Sequence, residues 1–307
     1  MELAEALGQW LAEDIGSGDV TSLAVVEERD CRATIRGGPG TLSGAGAMAL
    51  LFAQGGIRCE LAFTDGDTLP ADVEVAQLGG SAREILARER LALNLLAHLS
   101  GIATLTALVV ERARVANPAV KILARERLAL NLLAHLSGIA TLTTAVVERA
   151  RTANPAVKIL ATRKTTPGLR ELEKQAVVDG GGGTHRMRLD DAFLVKDNHL
   201  RLCGSVTEAV RSARTAQPEL ELVVEADTLE QALEAVQAGA DRVLLDNFPV
   251  EEAAAAAKAL RPHGVAIELS GGLTPENVAD YAPHGDCLSL GVLTLGASPV
   301  NFGLHVD

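Results

Sequence analysis

Six short segments in the second half of the chain restrict its possible folds more than any other feature of the sequence. Each is mostly apolar and rich in β-branched residues or leucine, and they occupy residues 157–161, 192–195, 220–225, 242–245, 266–269 and 287–290. This composition is typical of strands that are buried on both faces of a parallel sheet. Helical patterns separate most of them, and such repeated strand–helix units build either an α/β barrel or a doubly wound sheet.

A polar residue or a glycine stands at or directly after the end of each predicted strand. In chain order these residues are Arg163 and Lys164, then Lys196, Glu225, Asp246, the Ser270-Gly271-Gly272 stretch and finally Gly291. The carboxyl ends of parallel strands meet at one rim of a barrel, where barrel enzymes place their active sites. Solvation of a loop would explain one such residue, but a series of six indicates a functional rim.

The charge of the whole chain and the charge of this rim have opposite signs. The chain has 28 Lys and Arg against 40 Asp and Glu, a net charge of −12, which argues against a general nucleic-acid or anionic-membrane binder. The rim nevertheless collects cations that suit carboxylate and phosphate ligands. These cations are Arg163, Lys164, His185, Arg186 and Lys196. Arg170 and Lys174 lie on a predicted helix face, and we interpret them as solvent-exposed.

Two acidic residues and a glycine-rich stretch complete the predicted rim. Glu225 and Asp246 end consecutive predicted strands, and their oxygens suit Mg²⁺, directly or through water, or the hydroxyls of a ribose. A structural network with nearby cations is the alternative. Ser270-Gly271-Gly272 precedes a predicted helix and is typical of a phosphate cradle, because glycines let the backbone approach an anion. The glycines at 180–183 form either a similar loop or a flexible helix exit.

A tandem duplication interrupts the chain before the first of these strands. Residues 85–121 recur as residues 122–158, and 34 of the 37 positions are identical. Solenoid folds need about three or more copies, so two copies indicate a duplication event and not a repeat architecture. Each copy is predicted to form a helical pair, at 88–99 and 102–116 and again at 125–136 and 139–153, with a Ser-Gly break inside each pair.

The first 84 residues alternate helical and strand patterns, which predicts a mixed α/β module. We expect a helix at 1–12, a polar loop at 13–21 and strands at 32–36 and 72–78. The four cysteines lack metal-ligand or disulfide spacing, which favours a reducing compartment. The N-terminus lacks a basic signal-peptide region, and we expect no bilayer-spanning run and a cytoplasmic protein.

Several long motifs together resemble the quinolinate phosphoribosyltransferase family. The most specific are TRKTTPGLR at 162–170, GGGTHRMRLDDAFLVKDNH at 181–199, LLDN at 244–247 and LSGG at 269–272. The resemblance implies an N-terminal α/β sandwich joined to an open α/β barrel of the type II phosphoribosyltransferase kind. The implied domains are 1–121 with the first repeat copy, 122–156 as the duplicated helical pair, 157–292 as the barrel, and 293–307 as a C-terminal segment that packs on the N-terminal domain.

The resemblance also implies a reaction. Phosphoribosyl is transferred from phosphoribosyl pyrophosphate to quinolinate with decarboxylation, which yields nicotinate mononucleotide, pyrophosphate and CO₂ for NAD biosynthesis. Arg163, His185, Arg186 and Lys196 would bind the quinolinate carboxylates, with Lys164 close by. Glu225 and Asp246 would serve the Mg²⁺-bound phosphoribosyl pyrophosphate and its ribose. The groups that would receive phosphate are Ser270, Gly271, Gly272 and Gly291.

Members of this family are dimers or larger homo-oligomers in which the neighbouring subunit completes each site. The duplication offers two arginines for that role, Arg90 and Arg127, with Arg88 and Arg125 as weaker candidates, and we favour Arg127 because its copy runs directly into the barrel. We expect no nucleic-acid or membrane partner.

Three other functions remain open. A related branch associated with molybdenum-transport operons shares several motifs but generally lacks the Lys-Asp-Asn-His stretch that is present here at 196–199. A barrel lyase would use Lys164 or Lys196 as a Schiff-base nucleophile. An inactive binding or assembly protein would result if the duplication disabled the site. Thr184, Arg188 and Ala161 depart from the family's usual Asn, Gly and Asp, but none of these changes removes a charge assigned to the site.

Overall fold

A computed structural model of the chain describes residues 2–116 and 128–301. The chain forms two compact units. The first comprises Met1–Glu13, Glu28–Leu128 and Thr166–Gly168, and the second comprises Asp14–Glu27, Ala129–Thr165 and Leu169–Asp307. Residues 14–27 therefore belong to the second unit although they precede the first repeat copy. The predicted domain boundaries at 121, 156 and 292 stay predictions.

The first unit is an α/β layer structure built on an antiparallel sheet. Its strands are β1 (Asp30–Gly37), β2 (Gly40–Thr41), β3 (Arg58–Leu61), β4 (Thr68–Leu69) and β5 (Val73–Ser81), and its helices are α1 (Leu3–Ile15), α3 (Ala45–Gln54) and α4 (Ala82–Ala116). The three longer strands pair in the order β1-β5-β3, while β2 pairs with β4. Met48, Leu51 and Phe52 of α3 are fully buried in the core of this unit.

The predicted polar loop at 13–21 is wrong in part. Helix α1 continues to Ile15, and a second helix, α2 (Val20–Val25), starts five residues later. Asp19 caps α2, since its carboxylate accepts a 3.1 Å hydrogen bond from the backbone N–H of Ser22. An aspartate at the N-cap satisfies a backbone donor that the first helical turn leaves unpaired, which explains why a helix forms at a polar sequence.

The second unit contains a seven-stranded sheet in which every neighbouring pair is parallel. Its strands are β6 (Lys158–Ala161), β7 (Gly183–Thr184), β8 (Phe193–Val195), β9 (Leu222–Ala226), β10 (Arg242–Asp246), β11 (Ala266–Ser270) and β12 (Cys287–Leu290). They pair in the order β7-β6-β12-β11-β10-β9-β8. The last strand thus returns beside the first, as in a barrel that is open between β7 and β8. All six predicted strands are confirmed, and the two-residue β7 is additional.

Helices lie before, between and after the strands of this barrel. They are α5 (Leu128–Ala153), α6 (Arg170–Asp179), α7 (Asp197–Cys203), α8 (Val206–Ala216), α9 (Leu229–Ala238), α10 (Val250–Leu260), α11 (Val278–Tyr281) and α12 (Val292–Leu295). Short 3₁₀ turns at Arg261–His263 and Ala282–His284 follow α10 and α11. The α/β barrel alternative is therefore confirmed, and the doubly wound sheet is excluded by the strand order.

Strand register decides which side chains share a face of the barrel sheet. Leu244 lies opposite both Glu225 and Glu268, and Asp246 lies opposite Ser270. Partners in register point to the same side of a sheet, and residues two apart along a strand do so as well. Glu225, Asp246 and Ser270 consequently share one face near the carboxyl ends of their strands.

Within the described residues, each repeat copy has a single continuous helix where a helical pair was predicted, so the predicted Ser-Gly breaks are wrong. Residues 125–127 of the second predicted pair lie outside the described residues. Helix α4 runs through Ser100-Gly101, and α5 runs through Ser137-Gly138. A glycine inside a helix costs only about 1 kcal/mol relative to alanine, which packing can offset. At Ser100 the side chain bonds to the backbone of Ser43, which donates at 3.0 Å and accepts at 3.2 Å.

Two helices among the described residues are long and apolar enough to cross a membrane, by length and composition alone. They span Ala82–Arg112 and Leu130–Ala153, with mean hydropathies of 1.8 and 1.5. The core helices of soluble proteins pass the same test, so this finding is weak evidence for a membrane span.

The glycine run after α6 serves close packing against α5. A Cβ atom at Gly180 would lie 2.5 Å from the Ala140 carbonyl oxygen and 2.7 Å from the Thr143 Cβ. We therefore expect Gly180→Ala to lower the free energy of unfolding by about 1–3 kcal/mol through overpacking. Gly8→Ala is the control, since nothing lies within 4 Å of a Cβ there and alanine favours α1. Equal denaturation midpoints for Gly180→Ala and the parent would contradict this packing role.

Candidate active site

A cavity of about 330 Å³ opens at the carboxyl ends of the barrel strands. Lys164 and all four predicted phosphate-binding residues line it, together with Thr162 and apolar residues after β11 and β12. The predicted members of this lining are Lys164, Ser270, Gly271, Gly272 and Gly291. We call this space the rim cavity. A Cβ at Gly291 would lie 2.9 Å from Lys164 Cδ, so the glycine leaves room for the lysine side chain.

The glycines of the Ser270-Gly271-Gly272 stretch are required by its backbone. Gly271 and Gly272 have φ angles of 85° and 61°, a region that L side chains rarely adopt. A Cβ at Gly271 would also lie 2.3 Å from Asn247 Oδ1. Asn247 itself has a φ of 57°, and its N–H donates to the Ser270 carbonyl oxygen at 2.9 Å. The ends of β10 and β11 are thereby fixed against each other.

The two predicted acidic residues share the sheet face of Ser270, which lines this cavity, although neither of them belongs to the lining. Glu225 forms an ion pair with Lys196, and both groups are at least partly buried. Burial raises the pKa of the Glu225 carboxyl above its usual value against the opposing charge of Lys196, and Asp246 adds to the rise. Asp246 accepts a hydrogen bond of 2.6 Å from the Asn247 side-chain amide. Both predicted roles, a cation site and a network with nearby cations, fit this arrangement.

A pair of carboxylates fits Mg²⁺ better than it fits a metal that needs a complete protein ligand set. Among the described residues no group of three or more His, Cys, Asp or Glu side chains converges as a metal site. Mg²⁺ usually keeps several waters and is held by one or two carboxylates together with substrate phosphates. Glu225 and Asp246 supply that number on the sheet face that also carries Ser270 of the rim cavity.

Arg163 is held by a buried carboxylate that the sequence did not indicate. Asp14 is 1% exposed and forms ion pairs with Arg163 at 2.8 Å and Arg170 at 2.5 Å. Burial acts to raise the pKa of Asp14, but the charges and hydrogen bonds of the two arginines outweigh it and hold the pKa below its usual value. The expectation that Arg170 is solvent-exposed is wrong, because its guanidinium binds this buried acid.

Lys174 is also buried, contrary to the prediction. Its side chain is 1% exposed, and its Nζ donates to the carbonyl oxygens of His185 at 3.1 Å and Arg186 at 2.7 Å. Burial, and then the charge of Arg170, lowers the pKa of this lysine to about 7. Periodicity alone identified a helix here but not which of its faces is buried. The lysine fixes the backbone that carries His185 and Arg186.

Lys174 gives the stability of the protein a testable pH dependence. Its pKa is about 7 in the folded protein and 10.5 for an unperturbed lysine, so unfolding takes up a proton between these pH values. The free energy of unfolding should therefore rise with pH in this window, by up to about 1.4 kcal/mol per pH unit. Lys174→Met should lose this rise, as measured by urea unfolding at pH 7, 8 and 9. Parallel pH profiles for parent and variant would contradict the buried-lysine account.

His185 has both ring nitrogens engaged within the barrel. Its Nδ1 accepts the Arg186 backbone N–H at 2.8 Å, which assigns the ring proton to Nε2, and Nε2 lies 3.2 Å from Glu268. Glu268 is fully buried and also binds Ser289 and Arg242. Neither ring nitrogen is directed at the rim cavity in this arrangement.

A second cavity, of about 560 Å³, is lined by His185, Arg186 and the first residues of several barrel strands. Arg186 donates from Nη1 to the Ala192 carbonyl oxygen at 3.1 Å. Burial and the nearby charge of Arg163 lower the pKa of Arg186 to about 9. Arg163 and Arg186 are thus electrostatic neighbours, as the predicted cationic cluster requires, while His185 and Arg186 line a different cavity from Lys164.

His199 positions the start of α7 and so the backbone of Lys196. Its Nδ1 accepts the Lys196 N–H at 3.0 Å, and its Nε2 lies 3.3 Å from Ser22 Oγ. Burial lowers its pKa to about 4 against the opposing charge of Asp19, so the ring is neutral near pH 7. The Lys-Asp-Asn-His stretch at 196–199 is therefore hydrogen-bonded to the start of α2, where Ser22 also donates from Oγ to the Asp19 carboxylate at 2.5 Å.

The two candidate arginines of the repeat differ in what the structure shows. Arg90 lies on α4 in the first unit, partly buried, with an ion pair to Glu89 at 3.9 Å. Its neighbour Arg88 is buried and bound to Glu84, which excludes it as a mobile ligand group. Arg127 and Arg125 lie outside the described residues.

Three residues of this region carried no recognised signal in the sequence: Asp14, Arg242 and Glu268. Glu268 could have been found, because a charged residue in the middle of an otherwise apolar predicted strand needs a buried partner. Asp14 had no comparable signal, since its partners lie about 150 residues further along the chain.

Two family models match the chain. The quinolinate phosphoribosyl transferase N-terminal domain matches residues 19–100, and the C-terminal domain of the same family matches residues 139–305. The length of the interval between the two matches, residues 101–138, differs by one residue from the 37-residue repeat period. The first model ends inside the first copy and the second begins inside the second copy, so one repeat length is surplus to the family pattern.

Curated relatives resemble the chain over almost its whole length. A nicotinate-nucleotide pyrophosphorylase (carboxylating) of Homo sapiens is 44% identical, covering 99% of this chain and 91% of the relative. A probable one from Methanothermobacter thermautotrophicus is 45% identical, covering 99% of both chains. One from Archaeoglobus fulgidus is 38% identical, covering 94% of this chain and 98% of the relative.

Solved structures agree with these relatives. The nicotinate-nucleotide pyrophosphorylase from Francisella tularensis has a TM-score of 0.52 at 30% identity, covering 97% of this chain and 93% of the other. The corresponding protein from Ehrlichia chaffeensis has a TM-score of 0.54 at 27% identity, covering 100% and 99%. With both family domains matched in order and relatives at this identity over full length, the chain belongs to the quinolinate phosphoribosyltransferase family.

Proposed function

We propose that this chain is a phosphoribosyltransferase that converts quinolinate and phosphoribosyl pyrophosphate into nicotinate mononucleotide, pyrophosphate and CO₂, a step of NAD biosynthesis. The observation that carries the proposal is the rim cavity, which is lined by Lys164 and by the glycines that follow β11 and β12. Asp246 lies in register with Ser270 of this lining, and Glu225 lies on the same face of the sheet. The curated relatives, which are named as pyrophosphorylases of nicotinate nucleotide, support it.

The rim cavity is assigned to phosphoribosyl pyrophosphate. Its backbone at Gly271, Gly272 and Gly291 lacks side chains that would block an approaching phosphate, and Lys164 adds a positive charge. Backbone N–H groups together with a lysine point charge are a common phosphate-binding combination. Glu225 and Asp246 are assigned to the ribose hydroxyls and to Mg²⁺. When bound, Mg²⁺ neutralises the charge that develops on the departing pyrophosphate.

The cations near β6 and β8 are assigned to the two carboxylates of quinolinate. Lys196 is 34% exposed in its ion pair with Glu225, so it can exchange that partner for a substrate carboxylate. Arg163 and Arg186 add positive charge, and Asp14 orients Arg163. His185 donates to Glu268 in the present geometry, and we assign it a positioning role for Arg186, whose N–H it accepts.

The reaction then needs positioning and charge stabilisation more than a covalent nucleophile. The pyridine nitrogen forms a bond to the anomeric carbon of the ribose while the bond to pyrophosphate breaks, through an oxocarbenium-like state. The bond to the 2-carboxylate breaks next, CO₂ departs, and the electron pair left on the ring carbon takes up a proton from solvent. The fixed cations hold both substrates in line and stabilise the leaving charge.

We further propose a cytoplasmic homo-oligomer, a dimer or a multiple of dimers, in which an arginine of the repeat completes the neighbouring site. We now favour Arg90 over Arg127 for that role. Arg90 falls inside the stretch that matches the family's N-terminal domain, whereas Arg127 falls in the unmatched interval.

A reconstituted assay tests the proposal. Purified protein is incubated with quinolinate, phosphoribosyl pyrophosphate and Mg²⁺, and nicotinate mononucleotide is quantified by chromatography. We expect product only when all three are present. Quinolinate binding without product would favour an inactive binding protein. Borohydride trapping of a carbonyl substrate on Lys164 or Lys196 would favour the lyase.

A further inference from the structure

The two repeat copies place one helical sequence in two different environments. In α5, the segment 139–153 packs into the second unit, whereas most of the described apolar side chains in the equivalent segment 102–116 of α4 are exposed. The buried positions in α5 are Ile139, Thr143, Val146, Val147 and Ala150. In α4, Ile102 is 52% exposed and Val109 is 44% exposed, although their counterparts Ile139 and Val146 are fully buried.

The packed face of this helix is identical in both copies. Segments 102–116 and 139–153 differ at three positions, and all three residues of the second copy, Thr144, Ala145 and Thr152, are exposed. Their counterparts in the first copy are Ala107, Leu108 and Val115. The surface that receives the helix in the second unit therefore meets no residue that distinguishes the copies.

The receiving surface, which we call the helix groove, is shaped by the glycines after α6. A Cβ at Gly180 would clash with Thr143, and a Cβ at Gly182 would lie 2.9 Å from Thr143 Cγ2. The groove thus accepts a threonine at this position of the helix, and the equivalent residue in the first copy is Thr106. The same contacts are available to either segment.

Chain connectivity permits both arrangements. Identity between the copies extends beyond the helices, because the stretch 117–124 has the same sequence as 154–161. The surplus 37 residues can therefore lie at 101–137, as in this structure, or at 117–153. Removing either stretch leaves a chain of the same length, and the two products differ only at the three exposed positions. The entropy of closing a loop of this size depends weakly on where it lies.

We propose that the helix groove of the second unit has two interchangeable occupants within the same chain, segment 139–153 and segment 102–116, and that both registers are populated. In the alternative register α4 enters the groove directly, and residues 117–153 become the surplus loop. The duplication then supplies a second helix for the groove, so that a disruptive substitution in one copy leaves the other copy able to complete the barrel.

Paired aspartate substitutions on the packed face test this proposal. Val146→Asp places a charge where the second copy is fully buried, and Val109→Asp is its matched counterpart in the first copy. We expect each single variant to lower Tm by less than about 3 °C, because the unaltered segment occupies the groove. We expect the double variant to lose about 10 °C or more, since a buried unpaired charge then cannot be avoided.

The deletion variant that lacks 101–137 provides the control, because it has only one segment for the groove. In that background Val146→Asp alone should be as damaging as the double variant in the full chain. A full-chain Val146→Asp that is as damaging as the double variant, with Val109→Asp neutral, would overturn the proposal and fix the register seen here. Rescue of Val146→Asp only at high concentration, with dimers on size-exclusion chromatography, would also overturn it and identify a second copy as the occupant.

Discussion

Replacing Lys164 by alanine is expected to lower kcat/KM about 10²- to 10³-fold while the protein stays folded, the loss typical for one electrostatic group at a reacting charge. The expectation rests on its position, because Lys164 lines the rim cavity and its side chain passes over Gly291. Removing the ammonium takes away one of the positive charges that stabilise the pyrophosphate leaving group. Steady-state kinetics with phosphoribosyl pyrophosphate as the varied substrate measure the effect.

Lys258→Ala is the matched control for this variant. Lys258 is exposed on α10, and it is not among the residues that line the rim cavity. Both variants should have the parent's Tm, and only Lys164→Ala should lose turnover. If Lys164→Ala retained full kcat/KM, the assignment of the rim cavity to phosphoribosyl pyrophosphate would be wrong.

Asp14→Asn is expected to have the largest effect on stability, about 3–5 kcal/mol, because it leaves two buried guanidiniums without their counter-charge. Asp14 is 1% exposed and holds both Arg163 and Arg170. Urea unfolding at pH 7 measures the loss. Turnover should fall as well, since Arg163 loses the carboxylate that orients it toward the proposed quinolinate site.

The Asp14 carboxylate also makes the free energy of unfolding depend on pH. Its folded-state pKa is lowered, so its contribution to stability is present above the ordinary aspartate pKa and is lost as the pH falls through the folded value. Asp14→Asn should remove this loss of stability at acidic pH. Asp72→Asn is the control, because Asp72 pairs with Arg36 on an exposed surface. This variant should change neither the free energy of unfolding nor its pH dependence measurably. Equal stability of the Asp14 and Asp72 variants would contradict the buried-network account.

The rim could be predicted because its residues follow a local rule. Each of them stands at or just beyond the carboxyl end of a buried strand: Lys164, Asp246, Ser270 and Gly291. Parallel strands bring those ends together irrespective of the loop sequences. Strand composition predicted the parallel strands, whereas the strand order in the structure decides for the barrel. In the structure Asp246 and Ser270 lie in register at two of these strand ends.

The parts that could not be predicted depend on contacts between distant segments. Arg170 and Lys174 fall on a helix whose buried face is set by Asp14 and by the loop at His185, and no periodicity reveals such partners. The ring of His185 turns to Glu268 for the same reason. Helix continuity through Gly101 and Gly138 also escaped prediction, because tertiary packing outweighs the modest helix propensity of glycine.

The central claim is that this chain decarboxylates quinolinate as it transfers phosphoribose. Quinolinate labelled with carbon isotope in the 2-carboxylate tests it most directly, with the full chain assayed beside the variant lacking 101–137. The account predicts labelled CO₂ in a one-to-one ratio with pyrophosphate from both proteins, dependent on phosphoribosyl pyrophosphate and Mg²⁺. Folded protein that binds both substrates and releases no labelled CO₂ would contradict it.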